Sequence, residues 1–129
     1  MEIFITLLPY ILTVVAGFCE VVMDTLQFHY HNSVFKSESK FWNPEESWKN
    51  KYKDDLKTPK FIGSTTLFVF TTDGWHLFKF FRNIFMFLGI SLLGYYSAFT
   101  IELVINLIIG RILYGLTFTF FYSYLLKQK

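Results

Sequence analysis

The chain has a single cysteine, Cys19, so no disulfide can form within it and no thiol framework supports the fold. Charge is scarce too: Asp, Glu, Lys and Arg make up 17% of the 129 residues, against 53% hydrophobic and 22% aromatic. A disordered chain has the opposite composition, poor in aromatics and rich in charge, and is excluded. A freely soluble globule is excluded as well, because a domain this short cannot bury so much apolar surface, and mean hydropathy is +0.37. The phosphate-cradling loops GxGxxG and GxxxxGK[ST] are absent, as are the GxSxG elbow and the zinc motif HExxH. No basic face is present either, since net charge is only +2 and the lysines alternate with acids, so nucleic acid is not an expected partner. Finally, no Lys or Arg precedes the first apolar run, no small-x-small site closes it, and Phe18 stands where a lipoprotein needs a small residue before Cys19. That run reads as an uncleaved signal anchor.

The charge that is present is segregated. Residues 36–60 hold 7 of the 12 Lys and Arg and 5 of the 10 Asp and Glu, which leaves the remainder almost uncharged. A membrane protein with one polar loop has this distribution, because a charge at the bilayer centre costs roughly 2.5–3.5 kcal/mol on insertion scales. Residues 3–22 are mostly apolar and, at about 1.5 Å per residue, cross a hydrocarbon core of roughly 30 Å. The expectation is a single all-α membrane domain over residues 1–129, a small bundle with spans at 3–24, 79–96 and 101–126 and a polar, partly helical loop at 32–63. A four-span arrangement, in which residues 61–78 also cross, is the alternative. Pro9 should bend the first helix and Gly17 should let a neighbour approach closely. The positive-inside tendency places the loop, Lys79, Arg82 and the Lys127/Lys129 tail in the cytoplasm and the N-terminus outside.

Within the loop, Asn43-Pro44-Glu45-Glu46 reads as a helix start, with Asn as cap, Pro at the first position and acids on the positive helix end. A helix from 44 to about 55 would bring Trp48, Tyr52 and Leu56 onto one face, flanked by Lys49, Lys51 and Lys53. Such a helix suits the headgroup level, the alternative being a solvated helix packed on its own protein. Gly63-Ser64-Thr65-Thr66 reads as the cap of a second helix running through Asp73 and His76 to Tyr96. Residues 94–97 read as a turn, and Thr100 ahead of Glu102 as the cap of the third span.

The residues able to carry chemistry fall on helix faces. Thr13, Gly17, Glu20, Asp24, Gln27 and His31 keep within about 40° of one line on a continuous helix. Asp73 and His76 share a side of the second helix at spacing three. Asp24, His31, Asp73 and His76 are therefore the expected ligands of a divalent metal, zinc, iron or manganese, with Glu20 as catalytic acid or base. Arg111, deep in the third span, calls for a partner on the first helix or a lipid phosphate, and Lys79 and Arg82 are further phosphate contacts. The plainer expectation is that these pairs only fix helix packing. Two functional readings result. The first is a non-enzymatic membrane component or subunit whose partners are the lipid bilayer and other membrane chains. The second is a membrane-embedded, metal-dependent enzyme acting on a lipid or lipid-linked substrate at the cytoplasmic leaflet.

Overall fold

The computed structural model describes residues 2–37, 39–97 and 101–126, and among them the regular structure is helical, apart from isolated bridging such as that of Tyr52 to Pro59. The helices are α1 (Glu2–Phe28), α2 (Pro44–Ser47), α3 (Gly74–Ser97) and α4 (Ile101–Phe121), the last extended by a π-helical turn, Tyr122–Leu126. Three stretches are long and apolar enough to cross a membrane: Thr6–Phe28, Gly74–Tyr95 and Ile101–Tyr124. A three-helix bundle therefore fits, and residues 61–71, which form turns and a 3-10 turn at Val69–Thr71, make no fourth span.

Helix α1 is the centre of the bundle. Its most apolar window is 44% buried, against 11% in α3 and 6% in α4, because both neighbours pack on it and little on each other. Helix α3 runs antiparallel to α1, so that Gly89 lies against Pro9 and Gly74 against Leu26. Helix α4 runs parallel to α1, so that the Tyr10 hydroxyl donates to Asn106 at 2.6 Å near one end while Phe18 meets Phe121 edge-on at 4.9 Å near the other. Gly17 permits this approach: a Cβ there would stand 3.1 Å from the Tyr114 carbonyl oxygen and 3.3 Å from the Thr117 Cβ.

The core gathers at the loop end, where Val21, Val22, Leu26, Tyr30 and Leu126 are buried beneath Phe35, Trp42, Trp75 and Phe78. The polar segment is folded onto this end rather than hanging free. The Tyr30 hydroxyl donates to the Ser37 carbonyl at 2.6 Å, the Val34 amide reaches the Leu126 carbonyl at 3.3 Å, and the Gly74 amide reaches the Phe41 carbonyl at 3.0 Å. Asn50 spans the segment by donating to the carbonyls of Lys40 and Thr72 at 3.0 and 2.9 Å.

Several local expectations change. The Asn43 cap is present, its side chain accepting from the Glu45 amide at 3.0 Å, but the helix that follows is α2 plus a 3-10 turn, Trp48–Lys51, and does not reach residue 55. Residues 51–60 instead fold back as a turn in which Leu56 takes a left-handed φ of 54°, the Lys53 amide donates to Thr58 and the Lys60 amide to Lys51, so Trp48, Tyr52 and Leu56 share no helix face. Helix α3 starts at Gly74, not near Gly63, because Asp73 supplies the stronger cap: its carboxylate accepts the His76 amide at 2.9 Å. It then runs through Gly94 to Ser97 with no turn there. Helix α1 ends at Phe28, which leaves His31 in a separate 3-10 turn, off the polar line of α1. The expected cap at Thr100 and the lysine tail at 127–129 lie outside the described residues.

Two predictions follow from this packing. Gly17→Val should destabilise the detergent-solubilised protein by about 1–3 kcal/mol, because the backbone of α4 occupies the space the side chain needs. Gly94→Ala, where among the described residues nothing lies within 4 Å, should leave stability unchanged or raise it by up to about 1 kcal/mol; thermal unfolding of both variants is the check. In the 51–60 turn, Asp55 accepts from the Thr58 hydroxyl and from the amides of Lys57 and Thr58, and these bonds hold its carboxyl down to about 2, from an ordinary value of 3.8. Its folded value lies below its unfolded one, so the stabilisation is fully present above pH 3.8 and is lost as pH falls towards 2. The Thr58 amide resonance should titrate with a midpoint near 2, whereas a midpoint at 3.8 would show that the turn does not form in solution.

Candidate functional site

Two polar clusters occupy the loop-proximal half of the bundle and open into different pockets. The first lies within the spans. Glu20 of α1 is ion-paired with Arg82 of α3, whose Nε and Nη2 also donate to Asn83 at 3.3 and 3.1 Å. The two charges meet because they are at the same depth: Glu20 lies eight residues before the end of α1 and Arg82 eight residues after the start of antiparallel α3. Each charge offsets a cost of roughly 2.5–3.5 kcal/mol that the other would meet alone in hydrocarbon. Tyr114 of α4 lines one pocket with Glu20 on the other side, so this carboxylate lies where all three long helices meet. One turn along each helix stand Asp24 and Arg111, which line with Glu20 and Tyr114 a pocket of about 350 Å³. The Arg111 guanidinium lies 5.7 Å from the centre of the Tyr114 ring, and among the described residues neither Arg111 nor Asp24 has an ion-pair partner.

The second cluster stands where α3 begins. Asp73, 2% exposed, accepts the His76 amide at 2.9 Å, the His76 ring at Nδ1 at 2.7 Å and the Thr72 hydroxyl at 3.3 Å. One carboxylate thus caps the helix and orients an imidazole. The pair opens into a pocket of about 210 Å³ walled by Leu26, Gln27, Trp42, Trp48 and Trp75. The Lys79 ammonium lies 4.8 Å from the Trp75 ring centre, a cation–π contact. Gly74 is required beneath this pocket, since a Cβ there would come within 2.5 Å of the Trp42 ring.

The residues singled out in the sequence are thus divided. Asp73 and His76 pair, as their spacing implies, and they stand level with Leu26, at the loop end of α1. Asp24 opens instead towards α4, and His31, exposed, meets Glu45 at 3.2 Å. The four expected ligands therefore do not converge, and among the described residues no group of three or more His, Cys, Asp or Glu could hold a metal ion. Glu20 holds the ion pair at the helix junction. Arg82 is its partner, not a free phosphate contact, and Lys79 is engaged over Trp75. Arg111 shares a pocket with the acids of α1 without pairing. Sequence reasoning missed Tyr114, Trp42 and Asn50; the matched depths of Glu20 and Arg82 could have been read once the helix ends were known.

Opposite mutations test the ion pair. Glu20→Leu and Arg82→Leu should each destabilise by about 3 kcal/mol, because each strands a charge away from water. The double variant should lose less than either single one, measured by unfolding in mixed micelles; additive losses would show that the two side chains do not depend on each other. Comparison of the chain with family models, with curated proteins and with solved structures finds no match.

Proposed function

We propose that this protein is a non-enzymatic membrane component that assembles laterally with another membrane-spanning chain through the face shared by α1 and α4. The observation that carries this reading is Arg111. It lies ten residues after Ile101 and thirteen before Tyr124, so its Cα is about 15 Å along the span from the nearer end. That distance exceeds what an arginine side chain covers by snorkelling. It is exposed on the surface of the bundle, and among the described residues no carboxylate pairs with it. Charges within spans face a bundle interior or a partner, and an amide from a neighbouring helix entering the pocket beside Asp24 would accept from Arg111 and donate to Asp24.

A second feature supports the same reading. Helices α3 and α4 diverge above Thr13, leaving an apolar cleft of about 350 Å³ floored by Thr13 and Gly110 and reaching Arg111. Small residues at the floor of a cleft favour close helix approach in lipid. On positive-inside grounds the folded polar segment faces the cytoplasm and the start of α1 lies on the far side of the membrane. The lipid-directed metal enzyme has no comparable observation in its favour, since its ligands point into separate pockets.

Photo-crosslinkers placed at Ile112 and Leu116, both exposed on α4, test this in the membrane that makes the protein. The wild type should give a discrete crosslinked species that Arg111→Leu reduces at least fivefold while helix content is unchanged. Absence of any crosslinked species in the wild type would overturn the reading.

A further inference from the structure

The geometry points to residues 56–68 as an in-plane membrane anchor that prefers a leaflet carrying anionic lipid. The segment has an apolar outer surface that the fold does not cover: Ile62 is 94% exposed and Leu67 72%, with Leu56, Phe61 and Phe68 each exposed as well. These side chains are presented, not loosely displayed. Ser64 is fully buried and its hydroxyl donates to the Lys51 carbonyl at 2.7 Å, while the amides of Thr66 and Phe68 both donate to the Gly63 carbonyl, at 3.0 and 2.8 Å. Gly63 takes a φ of +82°, open to glycine, and packs against the Phe68 ring. The amides of Ser64, Thr66 and Phe68 are thus bonded within the turn while its apolar side chains stay exposed.

Its position relative to the spans supplies the second observation. Phe70 stacks on Phe80 with ring centres 4.2 Å apart and planes at 11°. Phe80 is six residues into α3, so this contact lies about 9 Å past the start of a helix apolar enough to cross the membrane from Gly74 onward. Phe70 therefore stands beside the first turns of α3, at the depth where headgroups give way to acyl chains, and the exposed turn leads directly into it. The charge is complementary to an anionic surface. Residues 51–60 carry Lys51, Lys53, Lys57 and Lys60 against Asp54 and Asp55, four positive charges less two, and residues 61–68 carry none. Asp55 is moreover turned into its own hydrogen-bonded turn. Apolar side chains below a band of lysines form the arrangement of an interfacial anchor, and it lies one segment later in the chain than the 44–55 helix expected for that role.

The test uses the full chain with Cys19→Ala, an environment-sensitive fluorophore on Ile62→Cys or Leu67→Cys, and Ser39→Cys as a water-exposed control. Each is reconstituted at one copy per nanodisc, in phosphatidylcholine alone or with one third phosphatidylglycerol. Both anchor sites should emit as lipid-shielded fluorophores and be quenched at least threefold by shallow doxyl-labelled lipid, the control remaining aqueous. Quenching should increase with phosphatidylglycerol, and salt should remove that increase. An aqueous spectrum at both sites in both discs overturns the anchor, and equal quenching with and without phosphatidylglycerol overturns the anionic preference. Shielding that appears only at two copies per disc, without quenching by labelled lipid, assigns the patch to a second copy and overturns the proposal.

Discussion

The carboxylate of Glu20 holds the bundle together. In lipid, helices gain little by burying apolar surface against each other, because the solvent is as apolar as the side chains. Specific polar contacts and close packing must then set the arrangement. Glu20 pairs with Arg82 of α3 and shares a pocket with Tyr114 of α4, so its charge sits where both outer helices reach α1, as does the ring of Phe18, which meets Phe78 of α3 and Phe121 of α4. Further ties are the Tyr10–Asn106 hydrogen bond and two steric contacts, Gly17 against the backbone of α4 and Gly89 against that of α1. Register follows from depth. A one-residue slip of α3 would turn Arg82 about 100° away from Glu20 and leave both charges in hydrocarbon.

The polar segment serves the same bundle from outside. Asp73 caps α3 and orients His76, Trp42 packs over Gly74, and Asn50 holds the two halves of the segment by bonding carbonyls of Lys40 and Thr72. These contacts fix where α3 begins, and that start sets the depth at which Arg82 meets Glu20. The cap and the ion pair are thus two ends of one constraint, one residing in water and the other in the membrane.

This division also explains what could be read from the amino-acid sequence. The spans were legible because runs of apolar residues must satisfy the bilayer thickness, and the Asn43-Pro44 cap because it depends on adjacent residues alone. The closeness allowed at Gly17 and the Asp73–His76 pair were legible for the same reason, since helical spacing places them without knowledge of the rest. The helix over 44–55 failed because Asp55, Thr58 and Lys51 close a competing turn, which periodicity over Trp48, Tyr52 and Leu56 does not register. The start of α3 failed because Gly63-Ser64-Thr65-Thr66 and Asp73 are both chemically suitable caps, and the Asp73 bond to the His76 amide together with the packing of Trp42 on Gly74 separates them only in the folded chain. The metal ligands dispersed because level along a helix is not direction around it: Asp24 and Asp73 lie towards the same end but open into different pockets.

Helix α4 has no ion pair to α1 among the described residues and carries Arg111, which like Asp24 is unpaired there. Helix α3 has an ion pair to α1 and a folded cap at its start, whereas α4 is held by Gly17, by the Tyr10–Asn106 bond and by Phe121 on Phe18. Tyr114 is three residues from Arg111, on the same face, and lines the same pocket as Glu20, so any group that binds Arg111 there also meets the side chains beside that carboxylate. Occupation of that pocket would therefore be felt at the junction of all three helices, where Glu20 pairs with Arg82. A lateral partner at this face would tighten the bundle through the contact that holds it together in its absence.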